Sequence, residues 1–172
     1  DKYGVDALRF WMYSVNQPGD SKNFDEKTVD EVVKRLFNIL SNVYTFYELY
    51  ADKNSQNKTE KIISSNVLDR WILTRLVELT KLTTEKLDGY KLLEPTRAIR
   101  EFIDDLSTWY IRRSRDRFKS DDLADKNRAL NTTRYVLYVL SKLLAPFTPF
   151  YAEDLWNKVK SKTDSESVHL SD

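Results

Sequence analysis

Apolar residues in this chain recur at helical spacing, and no stretch alternates with the period of two that a half-buried strand needs. The clearest run is Val29, Val33, Leu36, Leu40, Val43, Tyr47 and Tyr50, stepping by four and three so that all fall on one stripe of a helix. Thr28 with Glu31 fits a capping box at its start, and Asp25 is an alternative cap one turn earlier. Before it, Val5, Leu8, Phe10, Trp11 and Met12 predict a short helix over 3–14, closed by the breaker Asn16-Gln17-Pro18-Gly19-Asp20. After it, the polar segment 52–61 predicts a loop. A second long helix, about Ser65 to Leu87, carries Leu68, Ile72, Leu76, Leu79 and Leu82, with Gly89 placed for a left-handed C-terminal cap.

Pro95 suits the first turn of a third helix, where its missing N–H costs nothing. Ile99, Phe102, Ile103, Leu106, Trp109 and Tyr110 line its broad apolar face. Residues 119–126 read as a polar connection, and a fourth helix with Leu130, Val136, Leu137, Leu140, Leu143 and Leu144 runs to about Ala145, where Pro146 stops it. Thr148 and Pro149 then read as N-cap and first position of a short fifth helix, Phe150 to Val159. The polar tail 161–172 is expected to be loose. The pattern predicts an all-α bundle of four to five helices over 25–160, preceded by a linker helix and turn over 1–24.

Composition narrows what this bundle can do. With 172 residues, 41% hydrophobic and 32% charged, the chain is long enough to bury roughly 70% of its unfolded surface in one domain. Three glycines and four prolines supply little turn chemistry for an all-β fold. The absence of cysteine excludes disulfides and thiolate metal sites. No apolar run approaches the roughly 20 residues that cross a bilayer, so a membrane role is not expected and a cytoplasmic location is compatible. The chain opens on Asp1 rather than Met and is expected to be a piece of a longer polypeptide.

Catalytic constellations are lacking. There is no Gly-rich phosphate loop and no Ser-His-Asp set, and the single histidine, His169, lies in the tail and reads as a surface residue. The adjacent carboxylates Asp104-Asp105 and Asp121-Asp122 point to different helix faces and read as solvated. Charge is concentrated instead. The net charge is only +1, yet residues 109–119 hold five basic residues, Arg112, Arg113, Arg115, Arg117 and Lys119, against Asp116 alone. Guanidinium forks match phosphate oxygens and stack on bases, so the run suits a nucleic acid. Basic residues at a helix C-terminus also oppose its dipole and can pair with Asp104, Asp105, Asp116 and Asp121, and both readings stay open at this level. Trp109 and Tyr110 continue the apolar face and are expected to pack, as is the stripe Tyr44, Phe46, Tyr47 and Tyr50.

Several motifs, met in order along the whole chain, resemble one family. Tyr3-Gly4-Val5-Asp6-Ala7-Leu8-Arg9 is similar to the segment after the ATP-binding lysine loop of class I aminoacyl-tRNA synthetases. Asn42-Val43-Tyr44-Thr45-Phe46-Tyr47 and Leu68-Asp69-Arg70-Trp71-Ile72-Leu73 resemble the first helices of the anticodon-binding domain in the isoleucine, valine and leucine subgroup. Trp109-Tyr110-Ile111-Arg112-Arg113-Ser114-Arg115, with Leu144 to Phe150 and Glu166 to Leu170, narrows the resemblance to the isoleucyl enzymes. Where that family usually has Trp after Arg-Phe, this chain has Lys119, so a more basic and less aromatic surface is expected there. The ATP-binding motifs of the class, His-x-Gly-His and Lys-Met-Ser-Lys-Ser, are not in these residues.

The resemblance implies a non-catalytic domain that binds the anticodon stem and loop of isoleucine tRNA. It implies a parent ligase that uses ATP and Mg, with no cofactor in these residues, and a monomer. The site residues it points to are Arg112, Arg113, Arg115, Arg117 and Lys119, and residues 3–14 would pack on the catalytic domain, leaving Phe10 and Trp11 partly exposed. The alternatives are the same domain of a valyl or leucyl enzyme, or a helical adaptor for protein partners.

Overall fold

The computed structural model describes residues 2–17, 19–51 and 64–171, and among these there are helices and no strands. Helix α1 is Val5–Ser14, α2 Glu26–Val32, α3 Asn38–Tyr50, α4 Val67–Asp88, α5 Leu93–Asp105, α6 Arg112–Phe118, α7 Leu123–Leu144 and α8 Pro149–Val159. The bundle expected from the apolar pattern is therefore present. The predicted loop 52–61 lies outside the described residues.

Two joins are π-helical. The α2–α3 rod passes through a π turn at Val33–Phe37, and the α5–α6 rod through another at Leu106–Ile111. A π turn holds one extra residue, so each rod changes its buried face part-way along. In the first rod Val32, not the expected Val33, is fully buried, and the stripe resumes at Leu36, Leu40 and Val43. In the second rod the buried positions become Leu106, Tyr110, Ser114 and Phe118, in steps of four. Trp109 is thereby turned out of the core.

Helix α7 is the hub, touching α3, α4, α6 and α8. Its Val136, Leu137, Leu140 and Leu144 join Leu40, Ile72, Ile99, Ile103 and Leu106 in one continuous core. Asp122 caps α7 through the N–H groups of Ala124 and Asp125, so the helix starts inside the expected polar connection.

Helix α1 packs on this core. Phe10 is 1% and Trp11 5% exposed, which overturns the expectation that they would be left partly open. The Trp11 indole N–H donates to Thr28 Oγ1 at 2.6 Å. That hydroxyl is then not the helix cap: Asp25 caps α2, accepting from the N–H of Lys27 at 2.9 Å. Asp6, in the first turn of α1, accepts from the N–H of Tyr151 at 2.7 Å and so caps α8 from another helix. Thr148, the expected cap, donates instead to the carbonyl of Leu144. Arg97 closes the other end of α1 by donating to the carbonyls of Ser14 and Val15.

The tail is pinned rather than loose. Ser167 Oγ and the N–H of Val168 both donate to Glu153 on α8, the Trp156 indole donates to the carbonyl of Ser165, and Val168 is 3% exposed.

At the interior of the bundle lies a buried ion cluster. Asp69, in the first turn of α4, is completely buried and takes both guanidinium nitrogens of Arg117, Nη1 at 2.7 Å and Nη2 at 3.0 Å. Tyr110 donates to Asp69 at 2.8 Å and Ser64 at 2.7 Å, so both carboxylate oxygens are filled twice. The other edge of Arg117 forks onto Asp125 of α7, Nε at 2.8 Å and Nη2 at 3.0 Å. Burial on its own would lower the Arg117 guanidinium, but its bonds to Asp69 and Asp125 carry it above its ordinary value. Burial, followed by the Asp69 charge, raises the Tyr110 phenol, so it remains a donor at all physiological pH.

Three outcomes are expected. Arg117→Ala strands the Asp69 charge in the interior and should lower stability by about 3–5 kcal/mol, read by urea denaturation; a loss within the range of exposed arginines would show that the cluster holds nothing. The hydrogen bonds from Arg117 hold the Asp125 carboxyl below its usual value. A depressed carboxyl contributes stability that is fully present above the unfolded value, about pH 3.9, and disappears as pH falls through the folded one. Melting temperature should therefore fall with acid below about pH 4, and less steeply in Asp125→Asn. At the end of α4, Gly89 is not the left-handed residue: Tyr90 is, at φ 56°, with the N–H of Lys91 donating back to the carbonyl of Lys86 at 2.8 Å. Tyr90 is 90% exposed. Tyr90→Gly should relieve that strain at no packing cost and raise stability by up to about 1 kcal/mol in the same assay.

Candidate nucleic-acid interface

The basic run occupies the second half of the α5–α6 rod. Its orientation is set by what the rod buries. Phe118 is fully buried and meets Phe46 at 5.0 Å between ring centroids, edge to face, while Tyr50 lies 6.2 Å away. Together with the Arg117–Asp69 pair, this holds α6 against α3, α4 and α7, and the opposite side of α6 faces solvent.

Of the five predicted site residues, the structure separates one from the rest. Arg117 has a side chain only 12% exposed, and all its guanidinium nitrogens are engaged by Asp69 and Asp125. It is taken out of the candidate interface: its geometry is that of an internal brace. The expected partners for a structural reading, Asp104, Asp105, Asp116 and Asp121, do not pair with the run; Asp105 binds Arg75 at 3.0 Å. The acids that do pair, Asp69 and Asp125, come from other helices. Sequence spacing cannot show this, because it reports neighbours along one helix only.

Arg112, Arg113, Arg115 and Lys119 are exposed. Among the described residues none of them is in an ion pair. Arg115 lies over the Phe46 ring at 5.9 Å, and Arg113 over the Trp109 ring at 4.2 Å. Trp109 is 50% exposed, against the expectation that it packs in the core. Sequence reasoning missed it because the apolar face was extended at regular α-helical pitch through a π turn. The tyrosine stripe behaves as expected: Tyr44, Phe46, Tyr47 and Tyr50 are half-buried and packed on the core. Burial, helped by a hydrogen bond to Glu48, pushes the Tyr44 phenol up to about 12.

What this arrangement can do chemically is bind anions. Four cations without ion-pair partners lie, together with the exposed Asp116, on one helical segment beside an exposed indole. No acid–base pair or nucleophile faces the same surface, and among the described residues no group of three or more His, Cys, Asp or Glu is placed to hold a metal ion. Nor is any described helix long and apolar enough to cross a membrane.

Comparison with known proteins gives the family of the chain. Isoleucine–tRNA ligase of Dehalococcoides mccartyi is 44% identical over 178 aligned residues, covering 100% of this chain and 18% of that protein. Isoleucine–tRNA ligase of Chlamydia trachomatis serovar D is 42% identical, again over 100% of this chain and 17% of that protein. The chain thus spans under a fifth of the length of these relatives. Among solved structures, free methionyl-tRNA synthetase of Mycobacterium tuberculosis superposes with a TM-score of 0.71 over 88% of this chain and 32% of its own, at 18% identity, which shows a shared fold. The model of the anticodon-binding domain of tRNA ligase matches residues 69–172, from the buried aspartate of the ion cluster to the end of the chain, and so the chain belongs to that family of anticodon-binding domains.

Proposed function

We propose that this chain binds the anticodon stem and loop of isoleucine tRNA, as the non-catalytic helical part of an isoleucine–tRNA ligase. The observation that carries the reading is the set of uncompensated cations Arg112, Arg113, Arg115 and Lys119 on a helix braced from inside by Arg117. Phosphate contacts by such side chains fix register and orientation on an RNA, and contacts to exposed bases carry the sequence information. The amino acid is supported by the relatives at 44% and 42% identity, both isoleucine–tRNA ligases.

In the parent enzyme ATP and Mg serve the ligation at a catalytic domain that these residues do not include. The outer side of α1 is the surface for that domain. Val5, Leu8 and Met12 form an exposed apolar stripe, 54%, 39% and 48% accessible, and Phe24 beside them is 65% exposed. Tyr3, Val5, Leu8, Phe24 and Val29 line a groove along it. A monomer in the cytoplasm completes the proposal.

The test is a titration of this chain with isoleucine and valine tRNAs over a range of salt. Each phosphate contact contributes about 0.7–0.9 to the slope of log affinity against log salt. Replacing Arg112, Arg113, Arg115 and Lys119 by alanine should therefore make the slope shallower by about 3, without the loss of stability expected of Arg117→Ala. An unchanged slope in the fourfold variant would remove these residues from the interface. Equal binding of natural, modified isoleucine and valine tRNAs would remove the specificity.

A further inference from the structure

We infer that Tyr90, on the turn between α4 and α5, is an anchor that docks into the catalytic domain of the parent ligase. The inference rests on the reading of α1 as the surface for that domain and adds a second contact to it.

The first observation is a backbone cost. Helix α4 ends in a Schellman turn, in which the N–H of Tyr90 donates to the carbonyl of Leu87 at 2.9 Å and that of Lys91 to the carbonyl of Lys86 at 2.8 Å. Such a turn needs one residue at positive φ, and glycine is the usual choice because a side chain is strained there. Here that residue is Tyr90, at φ 56°, although Gly89 stands one position earlier at φ −88°. The second observation is that nothing inside the chain uses the side chain so placed. Tyr90 is 90% exposed, and among the described residues neither its ring nor its hydroxyl has a stacking, cation or hydrogen-bond partner. The turn itself is held on both sides: Leu87 and Leu92 pack on the core, and Lys86 donates across it to Glu94 at 3.4 Å. Strain of this kind gathers where a residue serves a binding site, and a tyrosine on a rigid turn is a common interface anchor, with an apolar ring and a polar tip.

Charge and position name the occupant. Over residues 81–94, Lys81, Lys86 and Lys91 are balanced by Glu85, Asp88 and Glu94, with Lys81 paired to Glu85 and Lys86 to Glu94. The turn therefore offers a polyanion no excess of cations. The 22 residues of α4 also place it about 33 Å from the Arg117 brace at the start of that helix. It lies instead where α1 ends: Thr96, in the first turn of α5, donates to the carbonyl of Tyr13, and Arg97 to that of Ser14. Met12, the last residue of the α1 stripe, is 48% exposed at this same end. The chain spans under a fifth of the length of its relatives, so most of the parent polypeptide lies outside it to supply the opposing surface. That surface would take the ring in an apolar notch and the hydroxyl on a carbonyl or carboxylate oxygen.

The experiment is hydroxyl-radical footprinting read by mass spectrometry, on this chain alone and on the parent ligase without tRNA. It follows Tyr90 and Met12, the single methionine of these residues. Both should react readily in the chain alone and about tenfold more slowly in the parent. In the parent, Tyr90→Ala and Tyr90→Gly should each bring Met12 oxidation to within about threefold of that in the chain alone, with Tyr90→Phe intermediate. Tyr90→Gly should thus loosen docking in the parent while raising the stability of the chain alone, a pair of opposite signs that a merely structural role would not produce. Protection of Met12 with Tyr90 still reactive, or full Met12 protection in Tyr90→Ala, would overturn the anchor and leave α1 as the docking surface. Protection of Tyr90 that appears only when tRNA is added, or only on concentrating this chain by itself, would give the side chain to RNA or to a second copy and also overturn it. Full reactivity of both residues in the parent would remove the α1 surface as well.

Discussion

The bundle depends on one carboxylate. Asp69 has no access to solvent, and it carries a charge into the interior that only a full set of partners can stabilise. Arg117 and Tyr110 of the α5–α6 rod and Ser64 just before α4 supply that set. Because Arg117 also grips Asp125, the cluster ties the start of α4, the end of α6 and the start of α7 in one place. A buried ion pair of this kind is weak evidence for stability, since a well-packed apolar core of the same volume can do as well. What it does supply is geometry: the fork of Arg117 accepts only one arrangement of these helices.

That geometry decides which cations are available outside. Of four arginines within six residues, one is consumed by the brace and three are left facing water, and the brace holds their helix in a single orientation. Binding to a long polyanion through pre-placed cations avoids the entropy of ordering them at the moment of contact. The π turn upstream works in the same sense, leaving Trp109 outward while Tyr110 and Ile111 after it are buried.

The amino-terminal helix is held by a different logic. Asp6 caps α8, Arg97 caps α1, and Trp11 reaches Thr28, so three polar bonds between distant segments close the end of the bundle opposite in sequence to the family match. The apolar side chains left over on α1, Val5, Leu8 and Met12, are then a true surface stripe and not a poorly packed core face.

The helices and most of their apolar faces were legible in the one-dimensional pattern, because burying a stripe at a period near 3.6 is a local requirement that each segment writes into its own residues. Leu40, Ile72, Leu76, Ile99, Val136 and Leu140 are core by spacing alone, and they are core in the structure. The basic run was equally plain, as was its resemblance to a known domain. What the sequence could not decide was anything that depends on a second segment. Whether Thr28 or Asp25 caps α2 turned on Trp11, and whether Thr148 or Asp6 caps α8 turned on how α1 docks. The left-handed residue after α4 is Tyr90 rather than Gly89, and the π turns shift two faces by a residue, because packing against neighbouring helices outweighs about 1 kcal/mol of local preference. Above all, the five basic residues are alike in sequence. Only the folded chain, by bringing Asp69 and Asp125 to Arg117, separates the one that holds the scaffold from the four that face outward.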